Sequence, residues 1–152
     1  EIEENIEGLS GKHVIGSIEK VKLIGKDGKE VEIEAKIDTG ADSSSIDRAL
    51  AEELGFGGTL AAFEQKMNEG DVLKEMSLTE RDAYFKTVPD LVDRTLIHSS
   101  HGTSYRPVIE LQLTIDGVTI PARVSVIDRS HLQYPVIIGR IQLKKFLVDV
   151  TK

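Results

Sequence analysis

A carboxylate stands at the start of a turn built from small residues, because Asp38 is followed by Thr39, Gly40 and Ala41. Carboxyl side chains serve as general acids and bases, so Asp38 is the candidate reactive group of this segment. Gly40 permits close backbone approach, and the Thr39 hydroxyl is expected to fix the turn. A three-residue Asp-Thr-Gly match is common by chance, so the catalytic interpretation of Asp38 depends on the surrounding elements.

The segment before Asp38 predicts a β-hairpin with one wet face. Apolar residues alternate with charged residues through positions 31–37, and a Gly-containing turn at positions 25–28 precedes them. Such period-two alternation is typical of a half-buried strand, and this strand delivers Asp38 to its end. Ser43, Ser44 and Ser45 are expected to cap a helix that begins directly after the Asp turn and stops near Gly55.

The remaining chain predicts helices first and strands afterwards. A helical insertion is expected at residues 59–86, with helices at 60–68 and at 78–86 after a Ser77-x-x-Glu80 capping box. Two hairpins follow, at residues 94–106 and 111–126. The C-terminal part predicts an apolar strand at 136–139, a short helix carrying Ile141, Leu143 and Phe146, and an edge strand at 147–150.

The chain repeats one plan. A hairpin, an apolar strand, a Gly turn and a helix occur around Asp38-Thr39-Gly40 and again around Ile137-Ile138-Gly139. The second copy carries no carboxylate where the first carries Asp38.

Composition limits the classes of function. The 152 residues suit one domain, which we place at residues 13–152 after a flexible, acidic arm at 1–12. Cysteine is absent, which removes thiolate chemistry and fits a reducing cytoplasm, and no apolar run is long enough to span a membrane. The net charge of -7 disfavours nucleic acid as a partner. We therefore expect a cytoplasmic protein with no nucleic-acid or membrane partner.

The ordered set of motifs resembles the retropepsin-type aspartic proteases. The set comprises Ile37-Asp38-Thr39-Gly40-Ala41-Asp42, a Gly-bearing hairpin, and Ile137-Ile138-Gly139-Arg140. Further motifs are similar to the retropepsin-like family historically labelled "ATP-dependent zinc protease", which is associated with ligases that add glutamate tails: Val92-Asp93-Arg94, His98-Ser99-Ser100-His101-Gly102, Arg106-Pro107-Val108, Tyr134-Pro135-Val136 and Leu147-Val148-Asp149.

This resemblance implies a mainly β acid-protease fold, a closed β-barrel with a few added helices, and an aspartic endopeptidase in which Asp38 is catalytic. One such Asp per chain predicts a homodimer that pairs two Asp38 carboxylates. A monomeric enzyme would need another carboxylate, with Asp42, Asp128 and Asp149 as candidates. The resemblance assigns packing or an ion pair, and no catalytic step, to Ile138, Gly139 and Arg140.

The hairpin at residues 98–106 has two readings. The resemblance makes it a flap that closes over bound peptide, with His98, Ser99, Ser100, His101, Gly102 and Arg106 as flap or substrate-binding residues, whereas the residues alone equally describe an ordinary surface hairpin. Arg94, Arg106 and Arg140 are candidates for binding acidic side chains, in keeping with the glutamate-tail association.

The residues and the resemblance are compatible with three functions. The first is an aspartic peptidase acting on peptides, including acidic or glutamate-rich ones, and the second is a catalytically silent domain that binds peptides or mediates assembly. A metallopeptidase ranks last, because the chain contains neither a His-Glu-x-x-His motif nor a Gly-rich ATP loop, and His98 and His101 do not converge on a hairpin as they would on a helix. We expect no metal and no cofactor.

Overall fold

The computed structural model describes residues 11–100 and 102–152, so the arm predicted for residues 1–12 lies almost wholly outside the described residues. Within those ranges the strands are β1 (His13–Ile15), β2 (Ile18–Ile24), β3 (Glu30–Ile37), β4 (Ser44–Asp47), β5 (Asp93–Ser99), β6 (Gly102–Ile115), β7 (Val118–Ile127), β8 (Val136–Ile138) and β9 (Phe146–Val148). The α-helices are α1 (Arg48–Ala51), α2 (Gly57–Met67), α3 (Gly70–Lys74) and α4 (Leu78–Phe85), and a π-helical segment, Glu52–Phe56, lies between α1 and α2.

Strand pairing closes a ring. The hydrogen-bonded order is β2-β3-β8-β4-β7-β6, and β6 pairs back onto β2, while β5 extends the sheet from the other part of β6. Strands β1 and β9 form a separate parallel pair. The alternating apolar residues of these strands turn inward and are buried, as Val21, Leu23, Leu113 and Val124 illustrate. The prediction of a mainly β fold with added helices is confirmed.

The two copies of the repeated plan lie side by side. Strand β3 pairs in parallel with β8, with Lys36 opposite Ile137 and Ile37 opposite Ile138. Asp38 follows Ile37 as Gly139 follows Ile138, so the two turns leave the sheet next to each other. The ring thus brings together segments that lie about 100 residues apart in the sequence.

The helical insertion packs against the base of the β5–β6 hairpin. Its helices α2 and α4 occur where the pattern predicted them, and Ser77 and Glu80 form the predicted capping box. A second apolar cluster of Phe63, Leu73, Phe85 and Val88 holds them together, and Tyr105 of β6 packs against it. No helix in the described ranges is long and apolar enough to cross a bilayer.

Two local predictions were wrong. Ser43–Ser45 do not cap a helix, because residues 44–47 form strand β4 between β7 and β8, and Asp47 caps α1 instead by accepting a hydrogen bond from the Ala49 N–H. Phe146 is not helical either. The helical segment after Gly139 is a single turn, Arg140–Gln142, and Phe146 begins strand β9. In both places strand pairing with a distant segment supplies the backbone hydrogen bonds.

Candidate active site

Asp38 sits at the mouth of a tight turn held by backbone hydrogen bonds. Its N–H donates to the Ile138 carbonyl oxygen at 2.9 Å, which extends the parallel pairing of β3 and β8 by one residue. Its carbonyl oxygen accepts from the Ala41 N–H at 3.2 Å. The Gly40 N–H donates to Oδ1 of the half-buried Asp38 carboxylate at 3.0 Å. The turn therefore orients the carboxylate before any substrate binds.

Gly139 lies where the chain has no room for a side chain. A Cβ atom at this position would stand 2.4 Å from the Ser43 carbonyl oxygen and 2.9 Å from that of Ala41. The backbone of Gly139 has φ -93° and ψ 178°, an ordinary extended conformation, so close approach and not dihedral strain requires the glycine. Gly139 keeps the second turn pressed against the segment that follows Asp38.

A buried polar pair beneath the two turns was missed from the sequence. The Gly139 N–H donates to Ser44 Oγ at 3.0 Å, and the Ser44 hydroxyl donates to Gln142 Oε1 at 2.5 Å. Both side chains are buried. Ser44 and Gln142 are 98 positions apart, and no local pattern marks either as a partner of the site. They join the segment after Asp38 to the turn after Gly139.

Arg140 covers the outside of the Asp38 turn. Its guanidinium donates to the Thr39 carbonyl oxygen at 3.2 Å and pairs with the Asp42 carboxylate, and its backbone N–H donates to the Ala41 carbonyl oxygen at 2.8 Å. Within the described residues it is the Thr39 carbonyl, not the hydroxyl, that makes a hydrogen bond in this turn. Arg140 and Asp42 thus form an ion pair with each other on the outside of the turn.

The other candidate carboxylates bind their own neighbours. Asp128 accepts hydrogen bonds from the hydroxyl and N–H of Ser130, which lower the pKa of Asp128. Asp149 accepts equivalent bonds from Thr151, which lower the pKa of Asp149. Both arrangements are local turn caps on the surface.

The predicted flap is an antiparallel hairpin formed by β5 and β6. His98 pairs with Thr103 and Ser99 with Gly102 near its tip, where Ser100 is exposed; His101 lies outside the described residues. Arg106 is exposed on the returning strand, and its side chain makes no hydrogen bond or ion pair with a described residue. It borders a cavity of about 730 Å³ that α2, β6 and the segment after β7 enclose.

Arg94 is not free to bind a substrate, contrary to the expectation from sequence. Its guanidinium carbon lies 4.9 Å from the ring centroids of both Phe85 and Tyr105, and Nη2 pairs with Asp82 at 2.8 Å. Arg140 is engaged as well, as described above. Of the three arginines considered, Arg106 alone is without a partner in the part of the chain described.

No group of three or more histidine, aspartate or glutamate side chains that could hold a metal ion occurs within residues 11–100 and 102–152. The polar groups around the Asp38 turn are the Asp38 carboxylate, the Arg140 guanidinium paired with Asp42, and backbone N–H groups that bond within the turn or to Ile138. The Asp38 carboxylate has acceptor capacity left and can accept a hydrogen bond from water.

The paired turns on a mainly β ring define the class of this chain as a retropepsin-like, protease-like domain. The family model for the retropepsin-like aspartic endopeptidase RimB matches residues 14–152, and the chain belongs to this RimB-like family. The comparison with curated proteins finds no match.

Solved structures similar to this chain share little of its sequence. Protein Lpg0085, of unknown function, from Legionella pneumophila is 16% identical with a TM-score of 0.48, and the match covers 92% of this chain and 94% of that one. The protease of simian foamy virus is 14% identical with a TM-score of 0.45, covering 80% and 86%. The retroviral protease-like domain of Ddi1 from Leishmania major is 18% identical with a TM-score of 0.43, covering 84% and 76%.

Proposed function

We propose that this protein is an aspartic endopeptidase in which Asp38 activates the water molecule that attacks the peptide bond. The observation that carries the proposal is the Asp38 turn itself. Its carboxylate is held by the Gly40 N–H, and its backbone is fixed to Ile138 of the neighbouring strand. A carboxylate held in one orientation at the mouth of a turn is suited to act as a general base.

The active form is a homodimer. Acid proteolysis needs two carboxylates that share one proton, and the turn offers only Asp38 for this role, because its other carboxylate, Asp42, is paired with Arg140. A two-fold symmetric dimer supplies the second carboxylate, because the Asp38 turn of one subunit then lies against the Asp38 turn of the other across the symmetry axis. Each chain then contributes one Asp38.

The mechanism follows from this pairing. The ionised Asp38 takes a proton from water as the water oxygen attacks the carbonyl carbon, and the protonated Asp38 of the partner subunit hydrogen-bonds the carbonyl oxygen. The tetrahedral intermediate collapses as the C–N bond breaks, and Asp38 passes the proton it took from water to the leaving amine nitrogen, which restores the ionised carboxylate. Closure of the β5–β6 hairpin over the peptide excludes bulk water during these steps.

Acidic and glutamate-rich peptides are the proposed substrate class. Arg106 supports this, because its exposed guanidinium lies on the returning strand of the hairpin and has no partner among the described residues. A guanidinium binds a carboxylate through two parallel hydrogen bonds, which favours glutamate or aspartate in a bound peptide.

Replacing Asp38 distinguishes between two hypotheses, an aspartic endopeptidase and a catalytically silent domain that binds peptides. Wild type, Asp38→Asn and the control Asp149→Asn are incubated with a general peptide library and with oligoglutamate at several pH values, and products are measured by mass spectrometry. We expect Asp38→Asn to lose at least about 1,000-fold in rate and Asp149→Asn to keep activity. Unchanged cleavage by Asp38→Asn, or no cleavage by wild type, would instead support a peptide-binding domain.

A further inference from the structure

A groove of about 360 Å³ lies between the helical insertion and the β5–β6 hairpin. One wall is formed by α2, α3 and the start of α4, and the other wall is formed by the two strands of the hairpin. Apolar residues come from both walls: Met67, Leu73 and Leu78 from the insertion, and Leu96 and Tyr105 from the hairpin. A ligand in the groove would therefore contact the insertion and the hairpin together.

Two leucines line this groove although they are exposed. The exposed fraction is 71% for Leu78 and 48% for Leu96, which lie on opposite walls. Leu73, between the helices, is 7% exposed and belongs to the second apolar cluster. Single exposed leucines are common on protein surfaces, but large apolar side chains that share one concave surface are typical of interaction sites. The described part of the chain leaves both leucines uncovered.

The groove lies on the face of the hairpin that is turned away from the proposed substrate contact. Leu96 is directly opposite Tyr105 and two residues after Arg94, so these three side chains share one face. Arg94 contacts the Phe85 ring of α4, which shows that this face meets the insertion. Arg106 follows Tyr105 in β6, and successive side chains alternate between the two faces of a strand. An occupant of the groove is therefore separate from a peptide bound at Arg106.

Two cations line the groove, and no described lining residue is acidic. Lys74 is exposed and makes no hydrogen bond or ion pair with a described residue. Arg81 binds only neutral acceptors, because Nε donates to the Leu73 carbonyl oxygen at 2.9 Å and Nη1 donates to the Tyr105 hydroxyl at 3.3 Å. The positive charge of the groove is thus uncompensated within the described residues, which suits a partner that carries carboxylates.

Carboxylates of the surrounding helices do not supply this compensation. Asp82 pairs with an arginine of β5 at 2.8 Å, Glu69 accepts a hydrogen bond from a tyrosine hydroxyl of α4, and Glu80 belongs to the capping box. Glu75 is exposed and has no described partner, but it does not line the groove. Lys74 and Arg81 are therefore available to a partner.

We propose that this groove docks an amphipathic helix of a partner protein, with apolar side chains over Leu78 and Leu96 and acidic residues beside Lys74 and Arg81. The hairpin presents here the face of two paired strands and not a free edge, so an added strand would find no backbone groups to bond. A helix instead places apolar anchors against both walls at once. Docking of this kind does not depend on peptide cleavage.

A synthetic helix tests the groove directly. The probe is a labelled peptide of about 18 residues with leucines at helical spacing on one face and glutamates on both flanks, and its comparison peptide carries lysine for every glutamate. Fluorescence anisotropy should show at least about 10-fold tighter binding of the glutamate helix. The net charge of -7 would favour the lysine helix in non-specific attraction, so the opposite preference reports the groove. Equal binding, or tighter binding of the lysine helix, would overturn the proposal.

Variants on the two walls locate the binding. Leu78→Glu should weaken binding of the glutamate helix at least about 10-fold, and Lys74→Glu should remove the preference for glutamate over lysine. The matched controls are Leu132→Glu and Lys86→Glu, an exposed leucine and an exposed lysine outside the groove, and both should bind as wild type does. Urea unfolding verifies that each variant is folded. Unchanged binding in folded Leu78→Glu would overturn the proposal.

Two other occupants predict different results. If a second copy of this chain fills the groove, sedimentation should show self-association that Leu78→Glu abolishes. If the chain's own acidic residues 1–10 fill it, Ile6→Ser should strengthen binding of the glutamate helix by removing a competitor. Either result would overturn the assignment to a partner protein, whereas self-association unchanged in Leu78→Glu and probe binding unchanged in Ile6→Ser would support it.

Discussion

The N–H of Asp38 donates a hydrogen bond to the carbonyl oxygen of Ile138 at 2.9 Å, which ties the two copies of the repeated plan together at their turns. One copy provides the carboxylate, and the other provides the backbone against which that carboxylate is oriented. Ser44, beneath them, connects the same two segments through Gly139 and Gln142. The geometry of Asp38 therefore depends on residues 100 positions away, and substitutions there should affect both stability and catalysis.

Gly139→Ala should destabilise the protein by about 1–3 kcal/mol and reduce peptide cleavage. The added Cβ would meet the Ser43 carbonyl oxygen at 2.4 Å, so the backbone on one side must move, and the Asp38 turn moves with it. Urea unfolding measures the first effect and kcat the second.

Gly58→Ala in helix α2 is the matched control for that substitution. Its added Cβ meets nothing within 4 Å, so the replacement should leave activity unchanged and should stabilise the helix by about 0.5–1 kcal/mol. Equal unfolding free energies for the two variants would contradict the role assigned to Gly139.

Arg94→Ala should lower the free energy of unfolding by about 2–3 kcal/mol. The guanidinium carbon lies 4.9 Å from the ring centroids of both Phe85 and Tyr105, and its loss removes packing as well as the cation–π contacts that hold α4 to the hairpin. The control is Arg123→Ala, because Arg123 forms an exposed ion pair with Glu110 at 3.7 Å, a type worth less than about 1 kcal/mol. Urea unfolding compares the two, and a smaller effect at Arg94 than at Arg123 would contradict the prediction.

The sequence predicted what local patterns determine. Alternating residues gave the β2–β3 and β6–β7 hairpins, and the Ser77–Glu80 spacing gave the start of α4. Strand β4 was misread because three serines resemble a helix cap when the neighbouring strands β7 and β8 are unknown. Such pairing is decided by tertiary contacts, which override local propensity.

The candidate site likewise contains features that local sequence patterns reveal and features that depend on tertiary contacts. Asp38 and its turn could be singled out from sequence because their residue types are adjacent in the chain. Ser44 and Gln142 could not be paired from sequence, since only the closed ring of strands brings them together. The engagement of Arg94 by two aromatic rings was hidden for the same reason.

Acid should weaken the protein partly through the capping box of α4. The Ser77 N–H and hydroxyl lower the pKa of Glu80, so the ionised form stabilises the fold above the ordinary glutamate pKa of about 4.3, and that contribution is lost as the pH falls through the lower folded value. Glu80→Gln keeps a hydrogen-bonding side chain but removes the titration.

The stability difference between wild type and Glu80→Gln should therefore be larger at pH 7 than at pH 3, as measured by urea unfolding at each pH. Glu75→Gln serves as the control, because the Glu75 side chain makes no hydrogen bond or ion pair with a described residue. The difference in unfolding free energy between wild type and Glu75→Gln should be the same at pH 7 and at pH 3. If the stability difference between wild type and Glu80→Gln is instead larger at pH 3 than at pH 7, ionised Glu80 does not stabilise the fold as proposed.

Mixing subunits tests whether two Asp38 carboxylates form one centre. If each dimer needs both, chains of wild type and Asp38→Asn that are unfolded, mixed equally and refolded together will pair at random, and roughly a quarter of the dimers will keep two carboxylates. Activity per total chain should then fall to about a quarter of wild type. Independent monomers would retain about half, since each intact chain would act alone. An equal mixture with Asp149→Asn controls for refolding and should retain full activity, because Asp149 only caps a turn at Thr151.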